Sequence, residues 1–192
     1  MIQRRSLFCA SLALATPLAF AQSSTWVPDK AHSEVDFSIL HLSLSNVRGH
    51  FGNLGGTIIL DESDITKSIV DISIDVSTVD TGVAPRDADL KSADFFDVAH
   101  FPTATFVSTR IRKSGSGLVV SGNLTLHGMT KPVILQVMGP TGPVSGMDKK
   151  PHAGFSAVAT VSRTDFGIAT KYPSSVVGDD VKLTIDLDVA KR

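Results

Sequence analysis

The sequence predicts an all-β fold, an antiparallel sandwich or closed barrel that carries one short helix. Three observations lead there. Apolar and polar residues alternate with a period of two in about eight or nine runs of similar length. Short turns join most of these runs, without the spacing of a βαβ unit. Only one stretch, from Arg86, reads at helical spacing.

Trp26 to Leu42 is the first strand, with Val35, Phe37, Ile39 and His41 on one parity and Glu34, Asp36 and Ser38 on the other. Asn46 to Phe51 is a second, and Gly52, Gly55 and Gly56 break the pattern before it resumes over Thr57 to Leu60. After the polar turn at Asp61 to Asp64, Ser68 to Thr78 sets Val70, Ile72, Ile74 and Val76 against Asp71, Ser73, Asp75 and Ser77.

The segment Arg86 to Ser108 starts as a helix and ends as a strand. Asp87 is the expected cap, Leu90 and Ala93 follow at helical spacing, and Phe95 and Phe96 stand at the helix end. Pro102 excludes further helix, and Ala104 and Phe106 begin a strand. The two rings need an apolar partner elsewhere in the chain.

Ser114 to Gly117 makes a tight turn into a strand with Leu118, Val120, Leu124 and Leu126 on the parity of Gly122. Val133, Leu135 and Val137 mark the next strand. Gly139 to Lys150, with its prolines, glycines and lysines, reads as a loop projecting into solvent. Phe155, Ala157, Ala159 and Val161 form another strand, Arg163 to Asp180 a long connection, and Val181 to Val189 a final strand with Lys182, Thr184, Asp186 and Asp188 facing out.

Residues 1–21 read as a secretory signal, with Arg4 and Arg5, an apolar run from Leu7 to Phe20, and Ala19-Phe20-Ala21 at the cleavage site. The domain expected after it spans residues 22–192, and the expected location is the periplasm. Cys9 is the only cysteine and leaves with the signal, so the mature chain has no disulfide framework and no thiol nucleophile. Sixteen basic and nineteen acidic residues remain, a net charge of −3, which gives no electrostatic case for nucleic acid. No later run is long and apolar enough to suggest a transmembrane segment.

Five ordered motifs then carry a resemblance: DKAHSEVDFSILH at 29–41, VRGHFGNLGGTI at 47–58, RDADLKSADFFDVAHFPTATFVS at 86–108, GNLTLHGMTKPV at 122–133 and AGFSAVATVSRTDFGI at 153–168. The mature chain resembles the YceI-like, or polyisoprenoid-binding, proteins over nearly its whole length. The resemblance implies an eight-stranded antiparallel lipocalin-like barrel whose apolar lumen holds a long isoprenoid or other lipid, for example an isoprenoid quinone. It implies a bound ligand and no further cofactor. Val35, Phe37, Ile39 and Phe51, then Phe95, Phe96 and Phe106, and finally Phe155 and Phe166 are the candidates for lining or closing that tunnel. His41, the next residue on the apolar parity of the first strand, is the candidate for a polar lipid head. The expected partner is the lipid, and a homodimer stays open.

Catalytic and metal chemistry find little support in the residue pattern. His32, His41 and His50 recur every nine residues, which does not bring three imidazoles onto one strand face, and no HExxH spacing exists. There is no G-x-S-x-G elbow, and the acid pairs Asp61-Glu62 and Asp179-Asp180 read as solvated turns. Arg86, Asp87, Lys91 and Asp94 read as caps and surface pairs around the helix. The leading expectation is therefore a non-enzymatic lipid binder. An exported lipid-modifying enzyme and a barrel with a filled core remain as alternatives.

Overall fold

Alternation along the strands closes this chain into a barrel. The computed structural model describes residues 22–192, and the leader assigned to residues 1–21 lies outside the described residues. Ten strands are described: β1 (Ser23–Pro28), β2 (Glu34–His41), β3 (Ser45–Phe51), β4 (Gly55–Asp61), β5 (Ile69–Asp75), β6 (Thr103–Ser114), β7 (Gly117–Leu126), β8 (Met129–Ser145), β9 (Pro151–Ser162) and β10 (Val177–Lys191). One α-helix, α1 (Ala84–Lys91), sits between β5 and β6.

All pairings are antiparallel, in the order β1-β4-β5-β6-β7-β8-β9-β10-β2-β3, and a β1–β10 pairing closes the ring. One edge of β10 carries β9; the other carries β2 and, further along, β1. β1 with β2 thus makes one stave and β3 with β4 another, so ten strands build an eight-stranded barrel. Closure through β1 and β10 removes most of the free edges that could recruit another chain, leaving the outer edge of β3.

The first stave breaks where the sequence reads as continuous. Asp29 accepts the Ala31 N–H on its carboxylate at 2.9 Å, and its backbone oxygen accepts from His32. Ser33 Oγ then donates to Asp188 O at 2.9 Å and accepts from Asp188 N, pinning the chain before β2 resumes. The local Asx turn outcompetes the ladder there.

β8 corrects a second expectation. Gly139 to Ser145 does not project as a loop but continues the strand, with register shifts against β9 on either side of Thr141. Gly139 and Gly142 adopt φ of 115° and 99°, a backbone region open to glycine, so the strand absorbs its extra residues as bulges. Only residues 146–150 form the turn.

Beyond Asp75 the sheet has a gap, because the outer edge of β3 finds no neighbouring strand. Residues 76–102 fill it. A single bridge joins His50 to Asp80, Gly52 N–H donates to Thr78 Oγ1 at 3.0 Å, and Val76 and Val79 are buried beneath. α1 follows with Pro85 in its first turn, a position where proline lacks nothing. Asp87 is not its cap, as the sequence suggests: Val83 occupies that position without a side-chain bond, and Asp87 reaches back to Thr81 N–H at 2.9 Å. Arg86 grips the same Thr81 through its hydroxyl and carbonyl.

The helix itself buries no residue; the two rings after it carry the packing. Phe96 meets Phe51 edge-on at 5.4 Å, Phe51 meets Phe37 at 5.4 Å, and Phe95 stacks on Tyr172 at 5.6 Å. Inside the barrel, Gly122 makes room for Phe106. A Cβ at Gly122 would stand 2.3 Å from the Phe106 ring, so the tip of the ring packs directly against the β7 backbone.

Candidate functional site: the apolar lumen

The inward parity of every stave faces a hollow. Two cavities run along the barrel axis, with about 980 Å³ and about 950 Å³ of atom-free space, their open mouths included. Their exposed walls are wholly apolar. Val35, Ile74, Leu124 and Leu183 belong to both walls, so the two are halves of one tunnel with a shared waist.

The first half lies toward the β4–β5 and β6–β7 turns, and Phe106 and Phe155 stand in its wall. The second half lies toward α1 and is lined by Phe37, Ile39, Phe51, Phe95, Phe96 and Phe166. Nine of the ten sequence candidates therefore stand on the tunnel wall, Val35 at its waist. His41 does not. It is exposed at the last position of β2, outside either wall. There β2 pairs with Val177 across a register irregularity in β10, and the parity that turns Val35, Phe37 and Ile39 inward has no facing wall left.

The sequence reading missed Arg163. This residue is 4 % exposed and borders the second half of the tunnel. Its Nε donates to Gly178 O, Nη1 to Ile168 O and Ala169 O, and Nη2 to Tyr172 O and Val177 O, at 2.7–3.0 Å. A guanidinium has five N–H groups, and all five are used. Asp179 Oδ1 stands 3.0 Å from Nη2 as a charge contact but out of hydrogen-bond alignment, which leaves that buried oxygen without a hydrogen bond. Asp179 is thus no solvated turn residue but lies in β10 against Arg163. Arg163 folds residues 168–178 over the barrel end and has no donor left for a ligand.

The other buried polar side chains among the described residues are also engaged. Ser24 accepts the Trp26 indole N–H, Ser33 is held by Asp188, and Ser68 Oγ accepts from Asp61 N. Among the described residues the tunnel wall thus offers apolar surface and no free buried polar group.

The histidines stay apart. His32 pairs with Asp29, His100 with Asp97, and His127 Nδ1 bonds Phe166 O at 2.9 Å. Among the described residues no three such side chains are grouped so as to hold a metal ion. His152, at the opposite end, contacts Asp188 at 2.6 Å through Nδ1 and Asp148 at 3.2 Å through Nε2. The Asp188 hydrogen bond, aided by that of Asp148, raises its pKa above 6.5 against the opposing effect of burial. The folded imidazole therefore holds its proton more tightly than the unfolded one. The pair stabilises fully below the unfolded value of about 6.5, and its contribution is lost as pH rises through the raised value. The thermal midpoint is expected to fall across that window, and His152→Gln to flatten the fall. An unchanged profile in the variant would exclude the pair as its source.

The fold and this hollow define a class: a closed antiparallel barrel of lipocalin-like form around an apolar tunnel. Within that class the chain belongs to the YceI-like family, whose domain model matches residues 26–189. Protein YceI of Salmonella newport (strain SL254) is 39 % identical over 184 residues, covering 93 % of this chain and 92 % of that one. The crystal structure of Burkholderia cenocepacia BcnA superposes with a TM-score of 0.75 at 25 % identity, over 84 % of this chain and 98 % of that one. A Saccharophagus degradans domain described as polyisoprenoid-binding and implicated in plant cell wall breakdown shares the fold. Its TM-score is 0.63 at 14 % identity, over 89 % of this chain and all of that one.

Proposed function

We propose that this chain binds one long apolar lipid, an isoprenoid such as the tail of an isoprenoid quinone, along the barrel tunnel. It does so as a carrier or reservoir rather than as an enzyme, in the periplasm, after export on residues 1–21. The observation that carries this reading is the pair of wholly apolar cavities joined at Val35, Ile74, Leu124 and Leu183. Each methylene moved from water into such a wall contributes about 0.8 kcal/mol before ordering costs, so a long chain binds with few polar contacts. The polyisoprenoid-binding description of the Saccharophagus degradans domain supports the ligand class. Two apolar hollows inside the staves weigh against a barrel packed solid by its own side chains.

Native mass spectrometry of the purified mature protein, followed by solvent extraction, tests the proposal. The expected result is a non-covalent adduct that releases an isoprenoid on extraction. A protein that stays empty after incubation with isoprenoids would return the filled-core reading, and chemical conversion of the added lipid would return the enzyme.

A further inference from the structure

The β2–β3 hairpin tip does the opposite of what a surface turn needs for stability. Leu40, Leu42 and Leu44 are 39, 47 and 83 % exposed. Leu42 and Ser43 adopt φ of 51° and 56°, the left-handed pair of a tight hairpin turn, where asparagine and glycine are favoured. A leucine there bears the cost of the left-handed backbone while its side chain stays only half covered.

The tip is also continuous with the tunnel. Ile39, one residue before Leu40, and Val177, which pairs with the next residue, both stand on the wall of the second half. Leu42 N–H donates to Val176 O, so the tip is fastened to the loop that Arg163 holds over this end. No acid occurs from Phe37 to Arg48, so the tip carries no carboxylate to desolvate. Val83 and Met129 add exposed apolar surface at the same end. At the other end Ile69, Val144 and Met147 are exposed too, but they are spread over separate strands and turns, and Asp148, Lys149 and Lys150 follow Met147 directly.

We propose that the Leu40–Leu44 tip is a membrane-docking element, which inserts its leucines at the headgroup–acyl boundary of a bilayer and sets the α1 end of the tunnel against it. This deepens the lipid-binding reading and rests on it for its purpose: cargo would pass between bilayer and lumen with little exposure to water. A narrow leucine turn fits between lipid headgroups, whereas a protein partner would call for a broader face.

The test is co-sedimentation of the mature protein with vesicles of phosphatidylethanolamine and phosphatidylglycerol, comparing wild type with Leu42→Asn/Leu44→Ser. Asparagine suits the turn, so the variant is expected to fold, and neither residue lines the tunnel. Vesicle partitioning is expected to fall by about a hundredfold, roughly tenfold per leucine. Equal binding of both proteins, or binding of neither, overturns the proposal. So does a variant that changes only from dimer to monomer in sedimentation velocity, which would assign the tip to a second copy. Native mass spectrometry of the same samples separates the two readings. An empty wild type that still docks through its leucines would overturn the lumen assignment and leave docking standing; a loaded wild type that ignores vesicles would do the reverse.

Discussion

Replacing Arg163 by methionine is expected to lower folding stability by about 3–5 kcal/mol, read as a shift in the urea midpoint. Methionine fills much of the same volume and donates nothing. Five backbone carbonyls, from Ile168, Ala169, Tyr172, Val177 and Gly178, lose their donor together, and the Asp179 carboxylate loses its counter-charge. An unsatisfied buried acceptor costs about 1–3 kcal/mol, but several of these carbonyls lie near the surface and would recover water. The total therefore falls below the simple sum. Against a total stability of about 5–15 kcal/mol for a single domain, this is a large share. Arg163→Lys should rescue little, because an ammonium offers three donors from one point rather than a planar fork. Hydrogen exchange should place the loss of protection at residues 168–178. A variant as stable as wild type would mean that the loop is held by its other contacts, chiefly the Asp94–Lys171 pair and Phe95 on Tyr172.

The second large effect concerns the waist. Leu183 lies on β10 and borders both halves of the tunnel, and Leu183→Trp is expected to divide them. If about five methylenes of a bound chain are excluded, the loss at about 0.8 kcal/mol each is about 4 kcal/mol, roughly a thousandfold in affinity. Short isoprenoids confined to one half should be retained, so the length preference shifts downward instead of binding vanishing. Overpacking costs about 1–3 kcal/mol of stability, and the folded fraction must be measured beside the ligand load. Leu124→Ala, which widens the same waist, provides the contrast: long chains should still bind. Competition between long and short isoprenoids in native mass spectrometry reads both outcomes, and an unaltered length preference in the tryptophan variant would place the ligand elsewhere.

The inward face of the tunnel was legible because strand parity is local. Val35, Phe37 and Ile39 point inward because alternate residues of an extended chain face the same side, whatever the strand pairs with. The same rule turns Phe106 and Phe155 inward, and it runs out at His41, one step past the irregularity where the facing wall ends. It also gave no sign that residues 139–145 would stay paired with β9, since Gly and Pro signal a turn locally and only the neighbouring strand makes them bulges.

Arg163 was illegible for a different reason. A lone arginine after a strand carries no pattern, and its acceptors are backbone carbonyls, which every residue has. Which carbonyls it meets depends on how residues 164–178 fold back. Asp87 likewise looks like a cap by residue type, and only the position of Thr81 assigns its bond.

Residue order alone determined the alternation, the one helical interruption at α1 with its two following rings, and an interior without fixed charge on the strands. Tertiary structure decided that the staves close through β1 and β10, that residues 76–102 seal the gap beside β3, and that a buried guanidinium fastens the end. The physical division lies in sequence distance. Periodicity acts over a few residues, whereas the bond from Ser33 to Asp188 spans 155 positions and exists only once the barrel has closed.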